Sequence, residues 1–145
     1  MGKMQRNKGS AYEREVAAAL FDELGLTFTR NLEQVRTGGE GDLVCEDQDF
    51  PFLIECKRRK GGAFDRAWMV QATHAADKAA LLPAVLYRMD YGQTRCVVPL
   101  SAVYGTESHP VEMTLEAFCY LSRELMADDA EGWGGGNVEL RGVVT

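Results

Sequence analysis

Residues 41–60 of the chain read GDLVCEDQDFPFLIECKRRK, two apolar runs joined by a polar segment. Both runs have the composition of short β-strands, and the four polar residues between them fit a hairpin connection. Successive side chains of a strand alternate between its two faces, so Glu55 and Lys57 share one face. The stretch therefore predicts a hairpin that brings Asp42 beside Glu55 and Lys57.

A carboxylate pair beside a lysine has a catalytic interpretation and a structural one. Carboxylate oxygens are the ligands that Mg²⁺ prefers, usually together with waters and substrate phosphate, and a lysine two residues on can reach the same phosphate or the attacking water. The structural interpretation is a surface hairpin with a cross-strand salt bridge, which contributes little to stability. The three-residue pattern E-x-K recurs by chance, so the rest of the chain must decide between them.

The composition is that of a single globular domain. The chain has 145 residues, of which 46% are hydrophobic and 26% charged, and both values are ordinary. No apolar run approaches membrane length, and the polar start lacks the apolar stretch of a signal peptide, so we expect a cytoplasmic protein. The cysteines form no C-x-x-C pair and lie within apolar segments, which favours reduced core residues over a zinc site or disulfides.

The charge distribution is uneven. A net charge of −6 and a pI near 4.9 argue against a protein that coats nucleic acid, because phosphate binding draws on a positive field. However, 11 of the 16 lysines and arginines lie in the first 66 positions, whereas the chain from Glu107 onward holds eight acidic residues against Arg123 and Arg141. A basic front on an acidic body is the resulting expectation.

Glu13 allows two interpretations at this stage. Ser10-Ala11-Tyr12-Glu13 matches a capping box, which predicts a helix from Ser10 to about Leu24 with Gly25 after it. Glu13 then reaches back to the Ser10 amide. Alternatively, Glu13 shares the apolar face of Val16 and Leu20 and points over the sheet edge into the site of Asp42 and Glu55.

The remaining elements are short and alternate in type. We expect a strand at 26–30, a polar loop at 31–41, a helix at 65–82, strands at 85–87 and 95–98, and a helix from Thr114 to about Met126. Gln71 flanks the apolar stripe of the helix predicted at 65–82 and is a candidate site residue. Residues 1–126 are predicted to form one domain, and residues 127–145 an acidic, glycine-rich tail.

This order of elements, with Glu13 on the first helix, Asp42 at the start of one strand and Glu55-Cys56-Lys57 at the end of the next, resembles the PD-(D/E)XK nuclease superfamily. Within it, the chain is most similar to archaeal-type Holliday junction resolvases and their phage relatives, over about residues 7–100. The resemblance implies an α/β, restriction-endonuclease-like core, in which helices flank a central mixed β-sheet. Gly41 stands where many members have proline, and the acidic tail has no counterpart.

The resemblance also implies a catalytic set of Glu13, Asp42, Glu55 and Lys57. Asp42, Glu55, Glu13 and the backbone carbonyl of Cys56 would hold one or two Mg²⁺ ions, with Mn²⁺ as an alternative. Two carboxylates 4 Å apart repel by roughly 4 kcal/mol at an effective dielectric constant near 20, and Lys57 can offset only one such pair. A bound cation is therefore expected in this cluster.

For partners, the resemblance implies branched DNA, preferably a four-way junction, and a homodimer that makes paired nicks in DNA recombination and repair. The expected DNA-binding residues are Lys8, Arg14, Arg30, Arg36, Arg58, Arg59 and Lys60, which contact the backbone and do not read bases. Apolar strands and the last helix offer a surface for an isologous dimer. If a phage encodes the protein, its location is the host cytoplasm.

Three other functions stay open. The first is another nuclease of the superfamily, acting on flaps, ends or restriction-type sites. The second is a non-catalytic DNA- or protein-binding module on the same fold, which the acidic pI favours, and the third is a small acidic interaction protein with an accidental E-x-K. The last of these predicts no stabilisation by divalent metal.

Overall fold

The computed structural model describes residues 3–31 and 42–130, with side chains for residues 9–31 and 43–128. Its elements, in chain order, are α1 (Lys3–Leu24), β1 (Phe28–Arg30), β2 (Asp42–Cys45), β3 (Phe52–Arg59), α2 (Arg66–Ala79), β4 (Leu82–Met89), β5 (Arg95–Pro99), a 3₁₀ turn (Leu100–Ala102), β6 (Pro110–Thr114) and α3 (Leu115–Ala130). Within these ranges, no helix has the length and apolar character needed to cross a membrane.

The six strands form one mixed sheet in the order β1-β2-β3-β4-β5-β6. Of the neighbouring strand pairs, only β3 and β4 run parallel, because α2 returns the chain to the end of the sheet at which β3 begins. The other neighbouring pairs are antiparallel. The prediction of an α/β fold with a mixed sheet flanked by helices is therefore confirmed.

The larger core lies on the sheet face that carries α1 and α3. Four phenylalanines from both layers meet there, and the ring centroids of Phe28 and Phe50, and of Phe52 and Phe118, lie 4.9 Å apart. Tilted and edge-on contacts of this kind add to the free energy gained by burying the rings. This core holds β2 and β3 in place against the two helices.

The smaller core lies on the opposite face, under α2. Trp68, Met69 and Ala72 of α2 pack there against Val85 and Tyr87 of β4. Asp65 caps this helix, since its side chain accepts a hydrogen bond from the Ala67 amide. The sheet, with α1 and α3 on one face and α2 on the other, therefore forms the middle of three layers.

All four cysteines are free thiols, as predicted. Cys56, Cys96 and Cys119 are buried, whereas Cys45 is half-buried. Burial raises the pKa of Cys119 to about 11. A thiol with a raised pKa holds little thiolate near neutral pH and is unreactive.

The N-terminal helix begins earlier than predicted. α1 starts at Lys3, so Ser10 lies inside the helix and is not its N-cap. The Oγ of Ser10 instead accepts a hydrogen bond of 2.9 Å from Arg14, one turn further on. The capping-box interpretation of Glu13 is therefore wrong, because a residue in a helix interior has no free end to cap.

The C-terminal part differs from the prediction in one strand and one helix end. Residues 110–114, predicted as a loop, form the edge strand β6 paired with β5. Thr114 does cap α3, as predicted, by accepting a hydrogen bond of 3.0 Å from the Ala117 amide. α3 continues to Ala130, past the expected end near Met126, and the tail beyond it lies outside the described residues.

The turn between β4 and β5 contains an unusual backbone conformation. Tyr91 has φ of 65°, the left-handed region that glycine normally occupies. A non-glycine residue there costs about 1–2 kcal/mol. Gly92 follows and closes the turn through a hydrogen bond of 3.0 Å from its amide to the Met89 carbonyl.

Candidate active site

β2 and β3 form the predicted hairpin, and its register brings the Asp42 position beside Glu55. Asp42 lies opposite Glu55, and Leu43 lies opposite Ile54. Directly opposed residues of antiparallel strands have Cα atoms about 4.5–5.5 Å apart. The backbone therefore brings the two acidic positions together; the side chain of Asp42 lies outside the described residues.

Glu55 and Lys57 form a buried ion pair on one face of β3. The Lys57 Nζ lies 3.3 Å from the Glu55 Oε1, and the two side chains are only 3% and 1% exposed. Both residues share a face because they lie two positions apart on the strand. The interpretation as a surface salt bridge is wrong, since neither charge is at the surface.

Gln71 completes this group from α2. Lys57 Nζ donates a hydrogen bond of 3.1 Å to the Gln71 Oε1, across the space between the sheet and the helix. The ammonium group is thus held between a carboxylate on its own strand and an amide oxygen on the helix above. The structure places Gln71 where the sequence predicted a candidate site residue.

Glu13 is positioned by an ion pair with Arg30. The Arg30 Nε lies 2.7 Å from the Glu13 Oε1, and the glutamate side chain is 4% exposed against 44% for the arginine. Arg30 is the last residue of β1 and lies opposite Leu43, the neighbour of Asp42 in β2. The pair therefore connects α1 with the strand edge next to the Asp42 position.

The predicted basic residues have different environments. Arg58 forms an ion pair with Asp90 in the turn after β4, and the Arg59 guanidinium lies 5.2 Å from the centroid of the Trp68 ring. Lys60 is exposed at the end of the run. Asp90 thus fixes Arg58, and Trp68 fixes Arg59, whereas Lys60 faces solvent.

Three further residues of the predicted DNA-binding set come earlier in the sequence. Arg14 is exposed on α1 and donates a hydrogen bond to the Ser10 hydroxyl. The side chain of Lys8 and all of Arg36 lie outside the described residues.

The donor chemistry of the site suits a hard cation. Glu55 supplies a buried carboxylate, and the Cys56 carbonyl follows directly in the same strand; oxygen ligands of this kind are typical for Mg²⁺. Among the side chains that the structure describes, no three His, Cys, Asp or Glu residues form a metal-binding group. This set does not include the Asp42 side chain, which the predicted ligand group requires.

A second polar cluster, which the sequence did not indicate, lies next to the strand position of Lys57. Tyr87 is the register partner of Lys57 on β4. Its hydroxyl donates a hydrogen bond of 2.5 Å to Glu112 on β6, which also accepts one of 2.9 Å from Arg95. Burial, together with the bond to Glu112, raises the pKa of Tyr87 to about 12.

The pKa of Glu112 shifts in the opposite direction from that of Tyr87. Burial raises the pKa of its carboxyl, but the hydrogen bonds from Tyr87 and Arg95 and the charge of Arg95 outweigh this effect, so the pKa is lowered overall. Glu112 therefore stays ionised near neutral pH and holds Tyr87 in place beside Trp68. No sequence signal points to this cluster, because the sequence predicts no strand at residues 110–114.

Asp90 is another residue that sequence reasoning missed. It pairs with Arg58, and its amide donates a hydrogen bond of 2.9 Å to the Arg59 carbonyl. An acidic residue in a turn is too common to predict such a contact.

Comparison with known proteins gives one match. The family model described as "Phage putative PDDEXK endonuclease" matches residues 4–125, which include every described element of the site. No curated protein and no solved structure matches the chain significantly.

Proposed function

Because the chain belongs to the phage PDDEXK endonuclease family, we propose that it is a Mg²⁺-dependent, structure-selective DNA endonuclease that resolves four-way junctions by paired nicks. The observation that carries this proposal is the buried group of Glu55, Lys57 and Gln71, opposite the backbone position of Asp42. Burying two charges costs several kcal/mol per ion. A protein that needed only a stable hairpin would gain more from apolar side chains there.

The donor residues have distinct tasks in this proposal. Asp42 and Glu55, with the Cys56 carbonyl and with Glu13 directly or through water, would hold the divalent ion. When bound, the ion supplies positive charge that activates the scissile phosphate. The ion pair with Arg30, the last residue of β1, fixes the Glu13 carboxylate.

Lys57 orients the reacting groups. Its ammonium, held by Glu55 and Gln71, donates to a phosphate oxygen and positions the attacking water. The water oxygen forms the new bond to phosphorus and gives up a proton, while one ester bond breaks and its oxygen takes up a proton. A preorganised cation of this kind stabilises charge that develops in the transition state.

Recognition of DNA would rest on the backbone. Arg59 ends the catalytic strand and Lys60 follows it, and both would contact phosphates near the cut. Resolution of a four-way junction needs two symmetric cuts, so a homodimer would supply one site for each strand. The net charge of −6 favours short-range contacts near the site over a broad positive surface.

The test is cleavage of a synthetic four-way junction, a flap and a linear duplex, each with Mg²⁺ and with EDTA. We compare the wild type, Asp42→Asn and Lys57→Met, with Lys78→Met, at an exposed position of α2, as a matched control for the lysine substitution, at a temperature where circular dichroism shows every variant to be folded. Paired nicks on the junction that disappear in EDTA, in Asp42→Asn and in folded Lys57→Met, but persist in Lys78→Met, support the proposal.

The other outcomes separate the alternatives. Metal-dependent cuts on the flap or duplex alone would keep the nuclease and exclude the resolvase. Metal-independent DNA binding with no cleavage of any substrate would favour a binding module on the same fold. Absence of both binding and metal stabilisation would leave only an acidic interaction protein.

A further inference from the structure

The turn after β4 presents a tyrosine to solvent. Tyr91 is fully exposed, at 105% of its reference area, and occupies the third position of the turn from Met89 to Gly92. Its φ of 65° is the conformation for which turns of this kind normally use glycine or asparagine. The fold therefore carries an aromatic side chain where it gains no burial and strains the backbone.

Contacts on both sides hold this turn in place. On one side, the Asp90 amide donates to the Arg59 carbonyl at 2.9 Å, and the Asp90 carboxylate pairs with Arg58. On the other side, the hydroxyls of Thr94 and Tyr12 are hydrogen-bonded at 2.9 Å, which ties the turn to α1. Tyr91 is thus presented on a braced segment, which lowers the entropy lost when it binds.

The turn lies close to the candidate active site. Lys57 is the register partner of Tyr87, and Tyr91 follows four residues later. At about 3.3 Å per strand residue, less the shortening of the turn, the backbone of Tyr91 lies on the order of 10 Å from that of Lys57. This distance corresponds to about three nucleotides at 3.4 Å per step of one strand.

An exposed aromatic ring beside basic residues suits one ligand chemistry. Exposed Lys60 and the Arg59 guanidinium lie at the end of the strand to which the turn is tied. Base stacking on an aromatic side chain needs a base whose face is accessible. Bases inside a duplex are stacked on both faces, whereas a base in a single-stranded flap, or at the centre of an open four-way junction, has an accessible face.

We propose that Tyr91 stacks on the accessible face of a base about three nucleotides from the cut, at a branch point or in a flap, and thereby selects branched over linear DNA. This inference rests on the proposed nuclease function and adds a residue that determines its substrate preference. Tyr91 takes no part in the chemical step.

The experiment measures binding and cleavage separately. Binding of a four-way junction, a flap and a linear duplex is measured in EDTA, with 2-aminopurine placed at the unpaired or branch-point bases. Cleavage of the same DNAs is then measured with Mg²⁺. The variants are Tyr91→Ala, Tyr91→Gly and Tyr91→Trp, and Tyr104→Ala serves as the control, because Tyr104 is also exposed, at 52%, but lies after the 3₁₀ turn.

We expect Tyr91→Ala and Tyr91→Gly to weaken binding of the branched DNAs by roughly 5- to 150-fold, the loss of one stacked base. Binding of linear duplex should change little. Quenching of 2-aminopurine should disappear in both variants and persist in Tyr91→Trp and Tyr104→Ala. Tyr91→Gly should unfold at the same temperature as the wild type or higher, because glycine relieves the backbone strain.

Three results would overturn the inference. The first is an equal loss of binding to branched and linear DNA, and the second is unchanged binding to both. The third is a change in self-association of Tyr91→Ala, measured by sedimentation, without a change in DNA preference. In each case, cleavage by the wild type would leave the nuclease proposal intact, whereas a wild type that binds DNA selectively but never cuts it would refute only the nuclease.

Discussion

Replacement of Lys57 by methionine should destabilise the protein strongly. At 3.3 Å from Glu55, the lysine contributes about 5 kcal/mol of attraction at an effective dielectric constant of 20. Removing one partner of a buried pair leaves the other charge uncompensated and typically costs about 3–5 kcal/mol. This loss is a large part of an expected total stability of about 5–15 kcal/mol.

This change in stability is measured by urea denaturation, because urea is uncharged, whereas guanidinium chloride is a salt and would screen the charges. With a slope of about 2 kcal/mol per molar urea, Lys57→Met should lower the unfolding midpoint by about 2 M. The double variant Glu55→Gln/Lys57→Met should be more stable than Lys57→Met, because it removes the orphaned carboxylate. Lys60→Met, the same substitution at an exposed position, should stay within about 0.5 kcal/mol of the wild type.

The outcome that refutes the reasoning is a cost below about 1 kcal/mol for Lys57→Met, which is the range of surface pairs. A double variant no more stable than Lys57→Met would refute it as well. Either result would mean that the ion pair is solvated in solution, so that its burial could not support a catalytic role.

Three further predictions concern the tyrosine cluster, the metal and the core. The pKa of Tyr87 is raised to about 12 in the folded protein, so the unfolded chain loses this proton first, near pH 10. The stability that Tyr87 contributes is therefore fully present below pH 10 and is lost as the pH rises to about 12. This loss should be smaller in Tyr87→Phe, and parallel curves of stability against pH for the two proteins would contradict the assignment. Mg²⁺ at 100 times its dissociation constant should stabilise the wild type by about 2.7 kcal/mol in thermal unfolding, and an equal effect in Glu55→Gln would place the ion elsewhere. Phe52→Ala should cost about 3–5 kcal/mol by urea denaturation, against about 0.5 kcal/mol for the exposed Phe21→Ala, and similar costs would contradict the described core.

Local patterns predicted the central hairpin correctly. The two apolar runs and the polar connection between them are properties of a few neighbouring residues, and they were enough to predict that Asp42 lies beside Glu55. The shared face of Glu55 and Lys57 follows for the same reason. Gln71 was predicted from helical spacing, which is also local.

The errors arose where the outcome depended on distant parts of the chain. Ser10 has the sequence of a helix cap, but the residues before it continue the helix, and local propensity is a weak guide in such cases. β6 was missed because it starts with Pro110 and is half-exposed, a pattern typical of an edge strand or a loop. The ion pairs of Glu13 with Arg30 and of Arg58 with Asp90 join residues far apart in the sequence, and no short pattern predicts them.

The parallel pairing of β3 with β4 has a consequence for the order of folding. Asp42 and Glu55 are 13 residues apart in the chain, whereas Glu55 and Val85, also register partners, are 30 apart and need α2 between them. Closing the longer loop costs more entropy, so we expect the hairpin of β2 and β3 to be formed in the folding transition state. The pairing of β3 with β4, beside Lys57, should form afterwards. Substitution of Lys57 should then accelerate unfolding and leave the folding rate almost unchanged.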